Sequence, residues 1–319
     1  MIRAGIIGGA GYTAGELIRL LLNHPEVEIA FVHSTSNAGA PLCHVHEGLI
    51  GETNLTFSDT YDLDAIDVLF LCQGHGFSQK FWQENAMPER LRVVDLAQDY
   101  RDESEGYVYG LPEYQCDKIK GARKLANPGC FATAIQLALL PLAASGNLKG
   151  EVNVTGITGS TGAGVKPGST THFSWRNNNI SVYKAFEHQH LKEICQTLEN
   201  LGCEAPEIGF VPVRGDFARG IFVMAWLDSE LSEDEARKLY EDFYADAPFT
   251  HVSDRPIDLK QAVNTNKAII GIEKHGKRLL ITSAIDNLLK GASGQAVQNM
   301  NLMFGLPETT GLKLKPSAF

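Results

Sequence analysis

The chain has 319 residues, 44% of them hydrophobic and 21% charged, and a formal net charge of -10. That length exceeds one compact core and implies two domains, and the composition excludes a disordered or fibrous chain. The acidic balance excludes a general nucleic-acid surface, which needs clustered Lys and Arg, so an anionic small substrate requires a local basic pocket.

The amino terminus runs directly into a short apolar strand, Ile2 to Ile7, without the charged leader and longer apolar core of a signal peptide. No apolar run approaches the ~20 residues of a membrane span, so the expected location is the cytoplasm, with no membrane partner. Gly8 to Gly11 reads as a tight turn and Ala14 to Asn23 as a helix, giving a strand-turn-helix opening. Val27 to Ser34, Asp67 to Cys72 and Leu91 to Leu96 read as further strands, with a helix around Phe77 to Asn85. This alternation predicts parallel crossovers and a Rossmann-type, doubly wound parallel sheet.

After Asn127-Pro128-Gly129 an apolar helix is expected from about Phe131 to Ala144, and the texture then changes. Glu151 to Thr158, Glu207 to Val213 and Gly220 to Leu227 read as longer strands, and Ala268 to Glu273 with Arg278 to Ser283 as a hairpin around His275-Gly276. Ser232 with Glu235 has the spacing of a capping box and opens an acidic amphipathic helix to Tyr244. A final helix, Gly291 to Phe304, is small and polar enough to pack back on the first domain. The expected α/β architecture is thus a dinucleotide-binding domain of residues 1–129 and 288–319, and an α+β domain of residues 130–287 with a mixed or antiparallel sheet.

Gly8, Gly11 and Gly15 form GxxGxxxG where the first strand enters its helix, a variant of the dinucleotide fingerprint. Such glycines let a backbone approach a pyrophosphate, and the helix amino terminus offers N–H groups to its oxygens. Gly8, Gly9, Gly11, Tyr12 and Thr13 are the expected contacts. At the end of the second strand, where an NAD site usually has Asp or Glu, the sequence reads His33-Ser34-Thr35-Ser36-Asn37. Hydroxyls at Ser34 and Ser36 without a carboxylate tolerate a 2'-phosphate, so NADP is the preferred cofactor.

The six cysteines, Cys43, Cys72, Cys116, Cys130, Cys195 and Cys203, show no CxxC spacing, and reduced thiols are expected. His44 with His46 and His188 with His190 lack an accompanying ligand cluster, so no metal is expected. Cys130 differs from the other thiols in standing at a turn into a helix, where the dipole and unpaired amides support a thiolate. It is a nucleophile candidate, against the alternative of a small buried hydrophobe. Glu187-His188-Gln189-His190 to Glu193 supplies the best base candidate, since His190 and Glu193 share a helix face and the carboxylate can orient the ring. The alternative is a polar helix entry with exposed histidines.

Gly8 to Leu17, Val94 to Arg101, Tyr109 to Glu113, Asn127 to Thr133, His188-Gln189-His190 and Gly291 to Asn299 resemble, in order, the blocks of N-acetyl-gamma-glutamyl-phosphate reductases. The resemblance covers nearly the whole chain, and the block around Cys130 is the most specific. It implies NADPH-dependent reduction of an N-acyl-gamma-glutamyl phosphate to the semialdehyde in arginine biosynthesis, with release of phosphate. It implies Cys130 as nucleophile, His190 as acid/base, and His188 and Glu193 lining the site. Ser160, Gly162, Gly164 and Asn287 are then expected to border the nicotinamide, and Asn127 and Arg219 to meet substrate. For Arg219 the alternative is a solvent-facing ion pair. A homo-oligomer, of tetramer type, is also implied.

Two departures bear on the acyl pocket. The family commonly has Pro-Glu before the last residue of the second histidine block, where this chain has Leu191-Lys192-Glu193, and Pro-His-Leu where it has Pro212-Val213-Arg214. Acetyl is the expected blocking group, and the extra cation of Arg214 raises succinyl. The competing readings are an aspartate-semialdehyde dehydrogenase or other acyl-phosphate reductase, and a non-catalytic Rossmann nucleotide sensor.

Overall fold

The computed structural model describes residues 1–204 and 207–318; Ala205 and Pro206 in the expected second domain, and Phe319 in the expected first, lie outside the described residues. The chain forms two compact units, one of Met1–Pro128 with Ala292–Lys313, the other of Gly129–Gly291 with the described tail, residues 314–318. Gly129, residues 288–291 and that tail, assigned from the sequence to the first domain, thus group with the second.

The first unit runs β1 (Ile2–Ile7), α1 (Tyr12–Leu22), β2 (Val27–His33), β3 (Phe57–Ser58), β4 (Val68–Leu71), α2 (Phe77–Glu84), β5 (Arg92–Asp95), β6 (Val108–Tyr109), α3 (Pro112–Lys120) and β7 (Lys124–Ala126). The strands form one sheet in the order β3-β2-β1-β4-β5-β7-β6, and every pairing is parallel. Strands buried on both faces need continuous apolar runs, and all four residues of β4 are buried. The order reverses between β1 and β4, so the Gly8 turn leaves β1 at the switch point where such sheets bind nucleotides.

The second unit runs α4 (Cys130–Ala144), β8 (Val152–Thr158), α5 (Phe173–Arg176), β9 (Ser181–Val182), α6 (Leu191–Asn200), β10 (Ile208–Arg214), β11 (Ile221–Asp228), α7 (Glu233–Phe243), β12 (Thr250–Val252), β13 (Ala268–His275) and β14 (Arg278–Ile285). Its sheet, β12-β13-β14-β11-β8-β10-β9, is mixed: β8 with β10 and β12 with β13 are parallel, the other pairs antiparallel. The β13-β14 hairpin turns at Gly276, and the capping box of Ser232 and Glu235 opens α7.

Helix α4 is buried at every position from Phe131 to Ala143 and, Thr133 and Gln136 apart, is apolar on all sides as a central helix is expected to be. Pro141 lacks the N–H that would reach the Leu137 carbonyl one turn back. The Tyr244 hydroxyl donates to that carbonyl instead, at 2.6 Å, so the buried acceptor is satisfied. The final helix α8 (Gly294–Met303) belongs to the first unit, where it packs on α1 and α3. A π-helical turn, Leu289–Ser293, precedes it and takes the place of its expected first residues. All ten residues of α8 are buried, so its amides need partners: Asn299 Nδ2 donates to the Gly110 carbonyl at 2.8 Å, and Asn301 Oδ1 meets His24 Nε2 at 3.0 Å.

Candidate active site

In the first unit, Gly8 has φ +84°, and a Cβ there would stand 2.6 Å from Gln73 Cγ and 3.0 Å from the Cys72 backbone. Only glycine meets both demands. Gly11 is the N-cap of α1 and provides no side-chain cap, which leaves the first helical amides to an anion. Gly15 is required by His46: a Cβ would lie 2.6 Å from its Nδ1. His46 Nε2 lies 2.7 Å from the Gly9 carbonyl oxygen, and because a carbonyl only accepts, the ring donates from Nε2. His46 therefore buttresses the glycine turn, a role that the HxH spacing did not suggest. Tyr12 beside it is exposed, and the Thr13 carbonyl accepts from the Ser293 hydroxyl at 2.7 Å.

At the end of β2, Asn37 Nδ2 donates to the hydroxyls of Ser34 and Ser36 at 3.0 Å each. This polar cluster contains neither carboxylate nor guanidinium. Asn127, just past β7, is 1% exposed, and both ends of its amide are engaged inside the unit: Nδ2 donates to the Ala292 carbonyl and Oδ1 accepts from Asn299 Nδ2, each at 3.1 Å. The side chain braces the strand end on the α8 segment.

In the second unit, Cys130 is the first residue of α4, with Gly129 as N-cap. The Gly129 N–H donates to Glu193 Oε2 at 3.1 Å, and the other carboxylate oxygen lies 4.0 Å from His190 Nε2. His190 caps α6 and Glu193 stands in its first turn, so the three-residue spacing places ring and carboxylate together. One buried carboxylate thereby lies between the residue before the thiol and the imidazole.

His188 sits among aromatic rings: Phe131 at 5.6 Å, Phe210 at 5.5 Å, Tyr183 at 5.9 Å and His190 at 4.6 Å, all edge-on. Burial, helped by the charges of Lys184 and Arg214, pushes its pKa down to about 4. Its Nδ1 accepts the His190 N–H at 3.3 Å, which assigns the proton of the neutral ring to Nε2. Arg214 ends β10, with its guanidinium carbon 4.5 Å above the Tyr183 ring.

The second glycine-rich loop is braced within the same unit. Ser160 N–H donates to the Phe217 carbonyl at 2.8 Å, and Asn287 accepts from Gly220 N–H at 2.7 Å while donating to the Thr161 hydroxyl at 3.1 Å. Gly162 lies inside this turn, and Gly164, at φ +82°, ends it. Arg219 forms a two-point ion pair with fully buried Asp286, Nε to Oδ2 and Nη2 to Oδ1 at 3.1 Å each. Gly291 approaches the thiol from the other end of the unit: a Cβ there would fall 2.8 Å from Cys130 Cβ. Tyr183, Asp286 and Gly291 had no individual role in the sequence reading, and only the Gly291 to Asn299 block carried a signal for one of them.

Two family models match the chain, "Semialdehyde dehydrogenase, NAD binding domain" over residues 3–122 and "Semialdehyde dehydrogenase, dimerisation domain" over residues 130–287. A curated relative from Bacteroides thetaiotaomicron, named N-acetyl-gamma-glutamyl-phosphate reductase, is 61% identical over the whole of both chains. This chain belongs to the N-acetyl-gamma-glutamyl-phosphate reductase family. A relative of the same name from Flavobacterium johnsoniae is 53% identical, again over the whole of both chains. Among solved structures, aspartate semialdehyde dehydrogenase II of Vibrio cholerae is similar with a TM-score of 0.75 at 15% identity, covering 96% of this chain and 99% of that one. That likeness shows a common fold alone, so membership of the N-acetyl-gamma-glutamyl-phosphate reductase family takes precedence over the aspartate-semialdehyde reading. Within the described residues, no helix is long and apolar enough to cross a membrane, and no group of three metal-ligating side chains occurs.

Proposed function

We propose that the chain reduces N-acyl-gamma-glutamyl phosphate to N-acyl-glutamate 5-semialdehyde in arginine biosynthesis, as a cytoplasmic homotetramer using NADPH. The observation that carries this reading is the buried Glu193 carboxylate, which accepts the Gly129 N–H next to Cys130 and stands 4.0 Å from the His190 ring.

The residues around the Gly8 turn fit a dinucleotide, since only glycine lets this turn pass so close to Cys72 and Gln73 and the α1 amides lack a side-chain cap. Ser34, Ser36 and Asn37 would face the adenosine ribose, and their lack of a carboxylate favours a 2'-phosphate. Bound NADPH supplies the hydride for the acyl carbon. The chain's own residues do the rest. The Cys130 thiolate attacks the acyl carbon, a C–S bond forms, the C–O bond to phosphate breaks, and phosphate departs with the electron pair. At each tetrahedral stage the amides at the start of α4 face the developing oxyanion. After reduction, His190 takes the proton of the thiohemiacetal hydroxyl, the C–S bond breaks and the thiolate returns. Glu193 holds the ring during the transfer, while His188, neutral at physiological pH, serves as a fixed wall with its Nε2–H as donor. Arg219 would meet substrate oxygens with its guanidinium oriented by the two-point pair to Asp286.

Acetyl is the blocking group named in the relatives. One observation supports succinyl as a second reading: the Arg214 cation lies near the site with no ion-pair partner among the described residues. The deciding assay is NADPH formation from N-acetyl- and N-succinyl-glutamate semialdehyde with phosphate, using wild type and Cys130→Ser. Cysteine-dependent turnover is expected, and its absence with both substrates would overturn the reading. Light scattering of the purified chain checks the tetramer.

A further inference from the structure

We propose that Tyr183 is a positioning residue that fixes the Arg214 guanidinium beside the Cys130 thiol. Tyr183 directly follows the two-residue strand β9, and its N–H donates to the Pro212 carbonyl at 3.1 Å. Its backbone is therefore registered on the strand that ends in Arg214. The guanidinium carbon stands 4.5 Å from the centroid of the Tyr183 ring, and Arg214 Nε is buried with no hydrogen-bond partner. The face of Tyr183 and its phenol oxygen, rather than a carboxylate, hold this charge in place.

The surroundings agree. Arg176, itself buried, donates from Nη1 to the Arg214 carbonyl at 2.7 Å, which fixes the backbone but not the head group. Tyr183 also meets the edge of His188 at 5.9 Å, and the Cys130 side chain is near enough to oppose ionisation of the phenol. The result is a cation on an aromatic platform next to a nucleophile, in a chain whose net charge is -10. Such a local potential selects reactants that carry an anionic group. The proposal rests on the acyl-phosphate reading only for the identity of that reactant.

The test compares alkylation of Cys130 in the full chain by iodoacetate, an anion, and by iodoacetamide, its neutral analogue, followed by mass spectrometry of the Cys130 peptide. The ratio of the two rates reports the positive potential at the thiol and needs no turnover. Tyr183→Leu is expected to lower the ratio about 3- to 10-fold, and Arg214→Ala by a similar factor, with no further fall in the double variant. Tyr183→Met, which fills comparable volume without a π face, carries the same expectation should the leucine variant not fold. Tyr183→Phe keeps the ring but loses the contact of the phenol with Arg214, and should keep most of the wild-type ratio. An unchanged ratio in Tyr183→Leu or Tyr183→Met, or a full additional loss when either is added to Arg214→Ala, would overturn the proposal. If wild type reduces no acyl phosphate while the ratios behave as expected, the enzymatic reading fails and the positioning role stands.

Discussion

Glu193 accepts the backbone N–H of Gly129 at 3.1 Å, one residue before Cys130, and so couples the start of α4 to the first turn of α6. Its other oxygen stands 4.0 Å from His190 Nε2. Glu193→Gln keeps an acceptor for Gly129 but removes the charge beside the imidazole. Its kcat is expected to fall about 10- to 100-fold, with KM little changed. Glu193→Ala should fall further and lose roughly 1–3 kcal/mol of stability, because the buried N–H is left without an acceptor. Steady-state kinetics and denaturation of both variants check this, and a Gln variant with wild-type kcat would remove Glu193 from the mechanism.

His188 gives a pH signature. Its folded pKa, about 4, lies below the usual histidine value because the ring is buried. Between that value and ~6.5 the unfolded chain binds the extra proton, so this ring's contribution is fully present above ~6.5 and is lost as pH falls toward 4. The loss is on the order of 2–3 kcal/mol. His188→Asn retains an acceptor for the His190 N–H and does not titrate. Unfolding free energies measured from pH 8 to 4 should fall more steeply for wild type than for this variant. Parallel curves would mean that His188 is protonated in the folded chain.

Much of the framework is legible in the sequence for a physical reason. Strands of a buried parallel sheet must be apolar runs, and the Gly8 to Gly15 turn needs glycines wherever the chain folds this way. The capping box of α7 is equally local. What escaped is short or non-local. β6, β7 and β9 have only two or three residues each, too few for a period to show. Tyr183 meets Arg214 through the register of β9 on β10, which no spacing encodes. Asn127 and Asn287 have side chains suited equally to a ligand or to bracing backbone, and geometry alone shows how each is engaged. Arg219 likewise has the fork that suits an anion, but a buried aspartate from the end of β14 occupies two of its nitrogens.

Gly291 sets the space around the thiol. A methyl group there would lie 2.8 Å from Cys130 Cβ and 3.2 Å from the Asp286 carbonyl oxygen. The carbonyl cannot retreat easily, since it also accepts the Gly291 N–H at 2.9 Å. Gly291→Ala should therefore displace the cysteine, costing about 1–3 kcal/mol in stability and about 100-fold in kcat. Denaturation with kinetics on the same preparation checks both, and a variant with normal kcat would show that the thiol position tolerates the shift.

The contact between Gly15 and His46 predicts a rescue. In Gly15→Ala the new methyl group would meet the imidazole 2.6 Å away, while the ring is held by its hydrogen bond to the Gly9 carbonyl. Either the ring gives up that bond or α1 moves from the glycine turn, and both outcomes loosen the dinucleotide cradle. Weaker NADPH binding, by about 10-fold, is the expected result. His46→Ala alone leaves the Gly9 carbonyl without its donor and should weaken binding less, because water can replace the donor at this partly buried position. In the double variant the clash is gone, so its affinity should return to that of His46→Ala alone. Fluorescence titration of NADPH against the four proteins measures this cycle. Additive losses in the double variant would show that Gly15 matters for close approach of the ligand itself and not for the packing of His46.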